Sequence, residues 1–233
     1  LAELRRKNSF AFFVDDNLVA NRRYALNLFA GMRGMGFKWL SHAPIDFAHD
    51  PELMRAAGEA GCLGMFVGFE SLNQESLVAM GKVTNRASSY LDNARAFRDH
   101  SIGILGSFVL GSDGDTPAVF EPILRFCEEA RIEAAIFPIL TPYPGTQVRS
   151  RLEAEGRITS NDWRDYDMGH VNFIPRGMTA EELKAGHDWL NSSFYSFSSM
   201  YRRIFKLHRS LQVFAPMNFG FRSAIRRAAR SGN

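Results

Sequence analysis

Carboxylates and small polar residues occur in this sequence as short clusters, each directly after an apolar run. Asp15 and Asp16 follow Phe10–Val14. Adjacent side chains leaving a strand point to opposite sides, so one aspartate enters a strand-end opening and the other supports a loop. Such a carboxylate suits an ammonium, a hydroxyl or a metal ion; the structural alternative is Asp16 or Asn17 capping a helix. Gly68-Phe69-Glu70-Ser71 ends another run. The glycine permits close backbone approach. Glu70 offers two acceptor oxygens, suited to a ribose hydroxyl pair or an amino group, unless it merely orders the loop before a helix at Asn73. The segment from Gly106 to Thr116 joins a glycine-bearing strand, with Ser107, to an acidic turn at Gly111-Ser112-Asp113-Gly114-Asp115. Small residues there suggest a flat ligand against the backbone, while turn and cap chemistry alone accounts for Asp113 and Asp115. Pro142-Tyr143-Pro144-Gly145-Thr146 is a stiff loop in which Tyr143 lines a pocket or simply connects. His42 ends an apolar run facing the same opening, and His170 lies where a later segment folds over it. Either histidine also suits a purely structural hydrogen bond.

The elements that must position these residues are five apolar strands alternating with helices: Phe10–Val14, Lys38–Ala43, Leu63–Phe69, Ile104–Leu110 and Ala134–Leu140. This alternation predicts a parallel sheet with helical crossovers, and chemistry then collects at the C-terminal strand ends. Helix starts are readable at Asn17 or Asn21, at Asp50-Pro51-Glu52, at Asn73, at Asp115-Thr116-Pro117 and at Gly145-Thr146. Beyond about Ile158 the pattern becomes irregular, and Thr179-Ala180-Glu181-Glu182 reads as a capping box opening a long helix. The expected organisation is a barrel over residues 1–157 and a helical extension over 158–233.

At 233 residues with 45% hydrophobic content the chain holds enough apolar material for a substantial core. No apolar run reaches the roughly 20 residues that cross a bilayer. The two cysteines, Cys62 and Cys127, form no CxxC motif and read as buried thiols, so no metal site is expected in this chain. The basic stretch Leu4-Arg5-Arg6-Lys7 reads as the tail of a helix, so the sequence is expected to be part of a longer protein. After Asp188 there are no acids, but Arg202, Arg203, Lys206, Arg209, Arg222, Arg226, Arg227 and Arg230 alternate with Phe194, Tyr195, Phe197, Tyr201, Phe205, Phe214, Phe219 and Phe221. Packing on the barrel or contact with an anionic membrane surface explains such a tail; nucleic acid ranks below both.

Four segments in this order resemble the radical S-adenosylmethionine (SAM) superfamily, particularly its cobalamin-dependent branch. They are Phe12-Phe13-Val14-Asp15-Asp16-Asn17; Gly68-Phe69-Glu70-Ser71 with Met80-Gly81-Lys82; Gly111-Ser112-Asp113-Gly114-Asp115-Thr116, which departs from the usual GLPGET form; and Pro142 to Thr146. The resemblance covers roughly Phe10 to Gly156, and the extension is similar to one found in hopanoid methylases. It implies a partial (β/α)6 TIM-like barrel, five strands visible and the first missing, with a mainly helical extension. It further implies an enzyme that cleaves SAM reductively with a [4Fe–4S] cluster, yielding a 5′-deoxyadenosyl radical, and that in the cobalamin branch methylates a lipid or other apolar substrate. Asp15 or Asp16, and Glu70 with Ser71, would hold the amino acid or ribose part of SAM. The Ser107–Gly111 strand would pack near its adenine, and His42, Tyr143 and His170 would line the substrate pocket. The cluster's CxxxCxxC loop is absent and is expected upstream of Leu1, as is any cobalamin domain, so the fragment alone is expected to be inactive. The expected partners are a small-molecule or lipid substrate, an electron donor such as flavodoxin or ferredoxin, and a membrane surface touched by a cytoplasmic protein. Two alternatives remain: a non-catalytic ligand-binding barrel that has lost its cluster, and a metal-dependent hydrolase using Asp15, Asp16, Glu70 and His42. The second has few histidines for such a site.

Overall fold

The structure, a computed structural model, describes residues 10–82, 84–204 and 210–231. The expected helix tail at Leu4–Lys7, and Phe205, Lys206 and Arg209, lie outside the described residues. Strands β1 (Phe10–Phe12), β2 (Lys38–His42), β3 (Cys62–Glu70), β4 (Gly103–Phe108) and β5 (Ala134–Ile136) form one sheet in sequence order. Every neighbouring pair is parallel. With its crossover helices this is the expected α/β half barrel. The helices are α1 (Arg22–Met32), α2 (Pro51–Glu59), α3 (Gln74–Ala79), α4 (Tyr90–Asp99), α5 (Phe120–Glu129) and α6 (Gln147–Ala154), then α7 (Ala180–Phe194), α8 (Phe197–Ile204) and α9 (Leu211–Ser231) in the extension.

Local chemistry sets the helix starts. Asn21, rather than Asn17, caps α1 by accepting from the Tyr24 amide. Asp50 caps α2 ahead of Pro51, Asn73 caps α3, Thr146 caps α6, and Thr179 with Glu182 makes the capping box of α7. The helix expected directly at Asp115-Thr116-Pro117 begins instead as a 3-10 turn, Pro117–Val119, and becomes α5 at Phe120. Four strands stop earlier than expected. Phe13 still bonds to the Leu40 carbonyl, but the chain then leaves the sheet. Pro138 has no N–H to give, so β5 ends at Ile136 and pairing resumes only at the Leu110–Ile139 bridge.

Side chains alternate across the sheet. Met65, Val67 and Phe69 of β3 join the core beneath the helices, where the Phe69 and Phe108 rings stack with centroids 5.1 Å apart. Phe66, Gly68 and Glu70 take the opposite, inner face and are half-buried. Gly106 lies under the Phe69–Phe108 stack, where an added Cβ would come within 3.3 Å of both rings. That glycine therefore serves helix-side packing, not the flat ligand its position suggests.

The extension closes the half barrel from below. A Cβ on Gly64 or Gly103, near the N-terminal ends of β3 and β4, would strike the fully buried Phe214 ring of α9 at 2.7 or 2.4 Å. The outer edge of β5 is satisfied by Tyr195, whose hydroxyl donates to the Ala135 carbonyl (2.6 Å) and accepts from the Ala135 amide (3.3 Å). Beneath β5, buried Arg203 donates to the carbonyls of Ile132, Glu133 and Phe194 at 2.7–2.9 Å, and Asn218 donates to Glu133 and Phe214.

Glu133 is buried here, with Oε2 accepting from the Ile104 amide at 2.6 Å, and burial pushes its carboxyl up to about 7. Because the folded value lies above the unfolded one, its contribution to stability is full in acid and is lost as pH rises through about 7. Glu133→Gln keeps the acceptor without the charge. The variant is expected to match the native chain near about pH 4 and to exceed it in denaturant stability at about pH 8. An equal difference at both pH values would contradict this.

Candidate functional site

Because the five strands run in one direction, their C-terminal ends form a continuous rim. Neighbouring ends are tied by backbone bonds: Ala43 N–H to Phe66, Val109 N–H to Glu70 and Leu140 N–H to Leu110. The loop after β4 also meets the start of α3, since a Cβ on Gly114 would lie 3.0 Å from Ser76 Oγ and 3.4 Å from Asn73 Nδ2.

Glu70 is the most constrained residue of this rim. Its φ is +65°, and the β3–β4 register slips between Gly68 and Glu70. The bulge turns the side chain back over Gly68, where a Cβ would fall 2.4 Å from Glu70 Oε1. Gly68 pairs with Ser107, so the carboxylate stands on the inner face beside that buried hydroxyl. Only 13% of the Glu70 side chain is exposed, and Lys82 Nζ meets its Oε1 at 2.9 Å. Buried Asn85 holds the turn by donating to the carbonyls of Gly68 and Phe69, and the Tyr90 hydroxyl also donates to the Phe69 carbonyl at 2.7 Å. A left-handed non-glycine residue costs of order 1 kcal/mol and persists only where its surroundings enforce it.

On the other side of the rim, His42 Nδ1 lies 3.0 Å from the Asp15 carbonyl oxygen. Its ring sits edge-on between Phe12 and Phe66, both centroids at 5.1 Å. Because a carbonyl oxygen only accepts, Nδ1 carries the hydrogen of this contact, and the ring forms part of an aromatic ledge. The Asp15 and Asp16 side chains are exposed just beyond β1. At normal strand spacing, β1 and β3 are about 10 Å apart. Asp15 and His42 thus form one group, and Glu70, Gly68 and Ser107 another.

The remaining expected residues are engaged elsewhere. Ser71 is buried in the turn, accepting from the Asn73 amide. The Gly111 amide donates to Asp115 Oδ2 at 2.9 Å, as does that of Ser112 at 3.0 Å. Burial pushes the Asp115 carboxyl up to about 6 against those bonds, so this aspartate does turn chemistry. Asp113 is held by Arg157 (2.9 Å) and Arg151 (2.7 Å) at the end of the barrel, and Arg176 of the extension approaches it at 3.8 Å. The Tyr143 hydroxyl donates to the Tyr166 carbonyl, again toward the extension. Exposed His170 contacts Asp167 at 2.9 Å, next to Met168, whose carbonyl accepts from the Ile139 amide just beyond β5. Asn85 and Arg157 were not singled out by sequence, and Lys82 was named only as part of the Met80-Gly81-Lys82 string, not as a partner of Glu70; an isolated lysine, asparagine or arginine carries no local signal of its distant partner.

Gly111 is needed for close approach rather than for a ligand. Its φ is +89°, and a Cβ would fall 2.7 Å from Leu183 of α7 and 3.1 Å from Phe173. Gly111→Ala is expected to cost about 1–3 kcal/mol in denaturant titration by combining backbone strain with overpacking; a native midpoint would contradict that.

Among the described residues, no three His, Cys, Asp or Glu gather to hold a metal ion. Both cysteines are buried, and burial pushes the Cys127 thiol up. The hydrolase alternative therefore finds no metal constellation there, and no donor set fits an iron–sulfur cluster. The rim does fit a polar ligand with neighbouring hydroxyl donors, through the Glu70 carboxylate.

Residues 146–227 match a family model described as a domain of unknown function, DUF4070. The chain is 34% identical over 200 residues to bacteriochlorophyllide d C-12(1)-methyltransferase of Chlorobaculum tepidum, covering 86% of this chain and 43% of that protein. It is 31% identical over 169 residues to hopanoid C-2 methylase of Rhodopseudomonas palustris, covering 70% and 32%. The chain thus spans less than half the length of these relatives. Among solved structures, the radical S-adenosylmethionine methyltransferase TsrM from Kitasatospora setae, with cobalamin and a [4Fe–4S] cluster bound, has the same fold: TM-score 0.56, 16% identity, 66% of this chain and 32% of that one. By its homology to the bacteriochlorophyllide and hopanoid methylases, and by its half barrel, the chain belongs to the radical SAM superfamily, in the cobalamin-dependent branch.

Proposed function

We propose that this chain forms the SAM-binding half barrel of a radical SAM methyltransferase acting on an apolar small molecule or lipid. The observation that carries the reading is Glu70: a strained, mostly buried carboxylate turned onto the inner face beside Ser107 at the strand ends. Its two oxygens would accept the ribose hydroxyls of SAM, with the adenine along the inner face of β4. Asp15 or Asp16 would meet the ligand's ammonium. The ledge of Phe12, His42 and Phe66 would face the apolar substrate, and His170 would approach from the extension. Tyr143 would brace that approach through Tyr166.

A reduced [4Fe–4S] cluster supplies the electron for SAM cleavage, and cobalamin the methyl group, when each is bound. This chain's share is to orient SAM and exclude water. Residues up to about 157 would bind ligand, while the extension closes the floor. The electron would come from a donor such as flavodoxin or ferredoxin. The reading also places the protein in the cytoplasm, with its C-terminal helices against a membrane. No helix among the described residues is long and apolar enough to cross one.

The test is anaerobic reconstitution of the intact protein with iron and sulfide, followed by reductant and SAM. Formation of 5′-deoxyadenosine or of a methylated product is expected. A protein that binds SAM but never cleaves it would instead be the non-catalytic barrel.

A further inference from the structure

The acid-free tail separates into two faces. On α9, Phe214, Asn218, Phe221 and Ile225 follow one another at helical spacing and turn inward; Phe214 and Asn218 are fully buried, and Phe221 and Ile225 pack against the core. Phe219, Ser223, Arg226 and Arg230 have the same spacing and are all exposed, Phe219 by 53%. On α8, Phe197 and Tyr201 stand one turn apart, exposed by 61% and 63%. The two helices are joined at this surface by Arg222. Its guanidinium lies 4.1 Å from the Phe197 ring centroid and donates to the Tyr195 carbonyl at 2.7 Å. Phe219 is three residues before Arg222, hence its neighbour on the helix surface. Phe219, Arg222, Phe197 and Tyr201 therefore form a continuous strip, extended along α9 by Arg226 and Arg230.

Packing accounts for Phe194, Tyr195 and Phe214, all buried, but leaves this strip open. Three large aromatics this exposed on adjoining helices exceed the scattered apolar residues of an ordinary surface. No Asp or Glu follows Asp188, and the nearby Glu128 is already engaged by Arg202 at 2.7 Å. We propose that the α8–α9 strip docks on an anionic lipid surface. Phe197, Tyr201 and Phe219 would enter the headgroup region, and Arg226 and Arg230 would meet lipid phosphates. The aromatics stand on the outer faces of two helices and line no groove that would track a nucleic-acid strand. Opposite the rim, Phe214 on the inward face of the same helix seals the barrel floor, so the lipid-facing helix is part of the barrel's closure. The inference rests on the membrane-contact element of the proposed function and not on its radical chemistry.

The experiment is co-sedimentation of the intact protein, without added cofactors, with vesicles of phosphatidylcholine alone or mixed with phosphatidylglycerol. Binding is expected only with the anionic vesicles and should weaken with salt. Phe219→Ser and the double change Arg226→Glu/Arg230→Glu are each expected to lower partitioning about tenfold or more. Arg226→Lys/Arg230→Lys should retain it, and thermal melts should show all variants folded. The proposal is overturned if the native protein does not sediment with anionic vesicles or binds neutral ones equally. It is equally overturned if both disruptive variants bind like the native protein, or if a single-stranded oligonucleotide binds while vesicles do not. Because no cofactor is present, failure here leaves the SAM-cleavage test untouched.

Discussion

Arg203→Met is expected to destabilise the folded chain by about 3–5 kcal/mol, the largest single-residue effect outside the rim. The guanidinium is 1% exposed, lies 3.4 Å from the Phe194 ring centroid, and donates to three main-chain carbonyls drawn from the β5 approach and the end of α7. It also reaches Asn218 of α9 at 3.2 Å. Methionine fills part of the volume but returns none of the donors: Glu133 keeps its bond from Asn218, while the Ile132 and Phe194 carbonyls lose this donor at about 1–3 kcal/mol each, partly offset by relief of the buried charge. The fault would fall where α7, α8, α9 and β5 meet. Proteolysis is therefore expected to release the extension before the strands are cut. Denaturant titration with limited proteolysis measures both; a change below about 1 kcal/mol would show that the network is not what joins extension to barrel.

The second large effect is on binding. Glu70→Gln removes the charge from the acceptor placed beside Ser107 and is expected to weaken SAM binding about 10- to 100-fold, the value of one or two charge-assisted hydrogen bonds. Stability should hardly move, because the partner Lys82 is half-exposed and such a pair contributes little. Glu70→Gly separates structure from function more sharply. Glycine adopts φ +65° without penalty, so the fold should gain up to about 1 kcal/mol while binding is lost. Calorimetric titration of SAM into the intact protein, beside thermal melts, reads the two quantities independently. Native affinity in both variants would remove Glu70 from the site.

Much of the fold was legible because its causes are local. Asn21, Asp50, Asn73, Thr146 and Thr179 each cap the helix they precede, and the strand–helix alternation allowed one sheet direction. The rim followed from that direction, so Asp15, His42 and Glu70 fell on one edge. Long-range causes were not legible. Gly111 read as a ligand-facing glycine, but Leu183, about 70 positions away, requires it. Arg203 read as one basic residue in a solvated tail, since burial of an arginine depends on carbonyls that only the folded chain presents. The Glu70 bulge left no sequence mark beyond Gly68. Pro138 was the one overlooked local signal, and it shortened β5 as a proline must.

The central claim is that the strand-end rim of this half barrel holds SAM through Glu70. A crystal structure of the anaerobically reconstituted intact protein with SAM tests it most directly. The ribose hydroxyls should lie within hydrogen-bond distance of the Glu70 carboxylate, with the adenine against the inner face of β4 near Ser107. SAM bound on the helix side of the sheet, or bound at the rim with Glu70 still paired only to Lys82, would contradict the account.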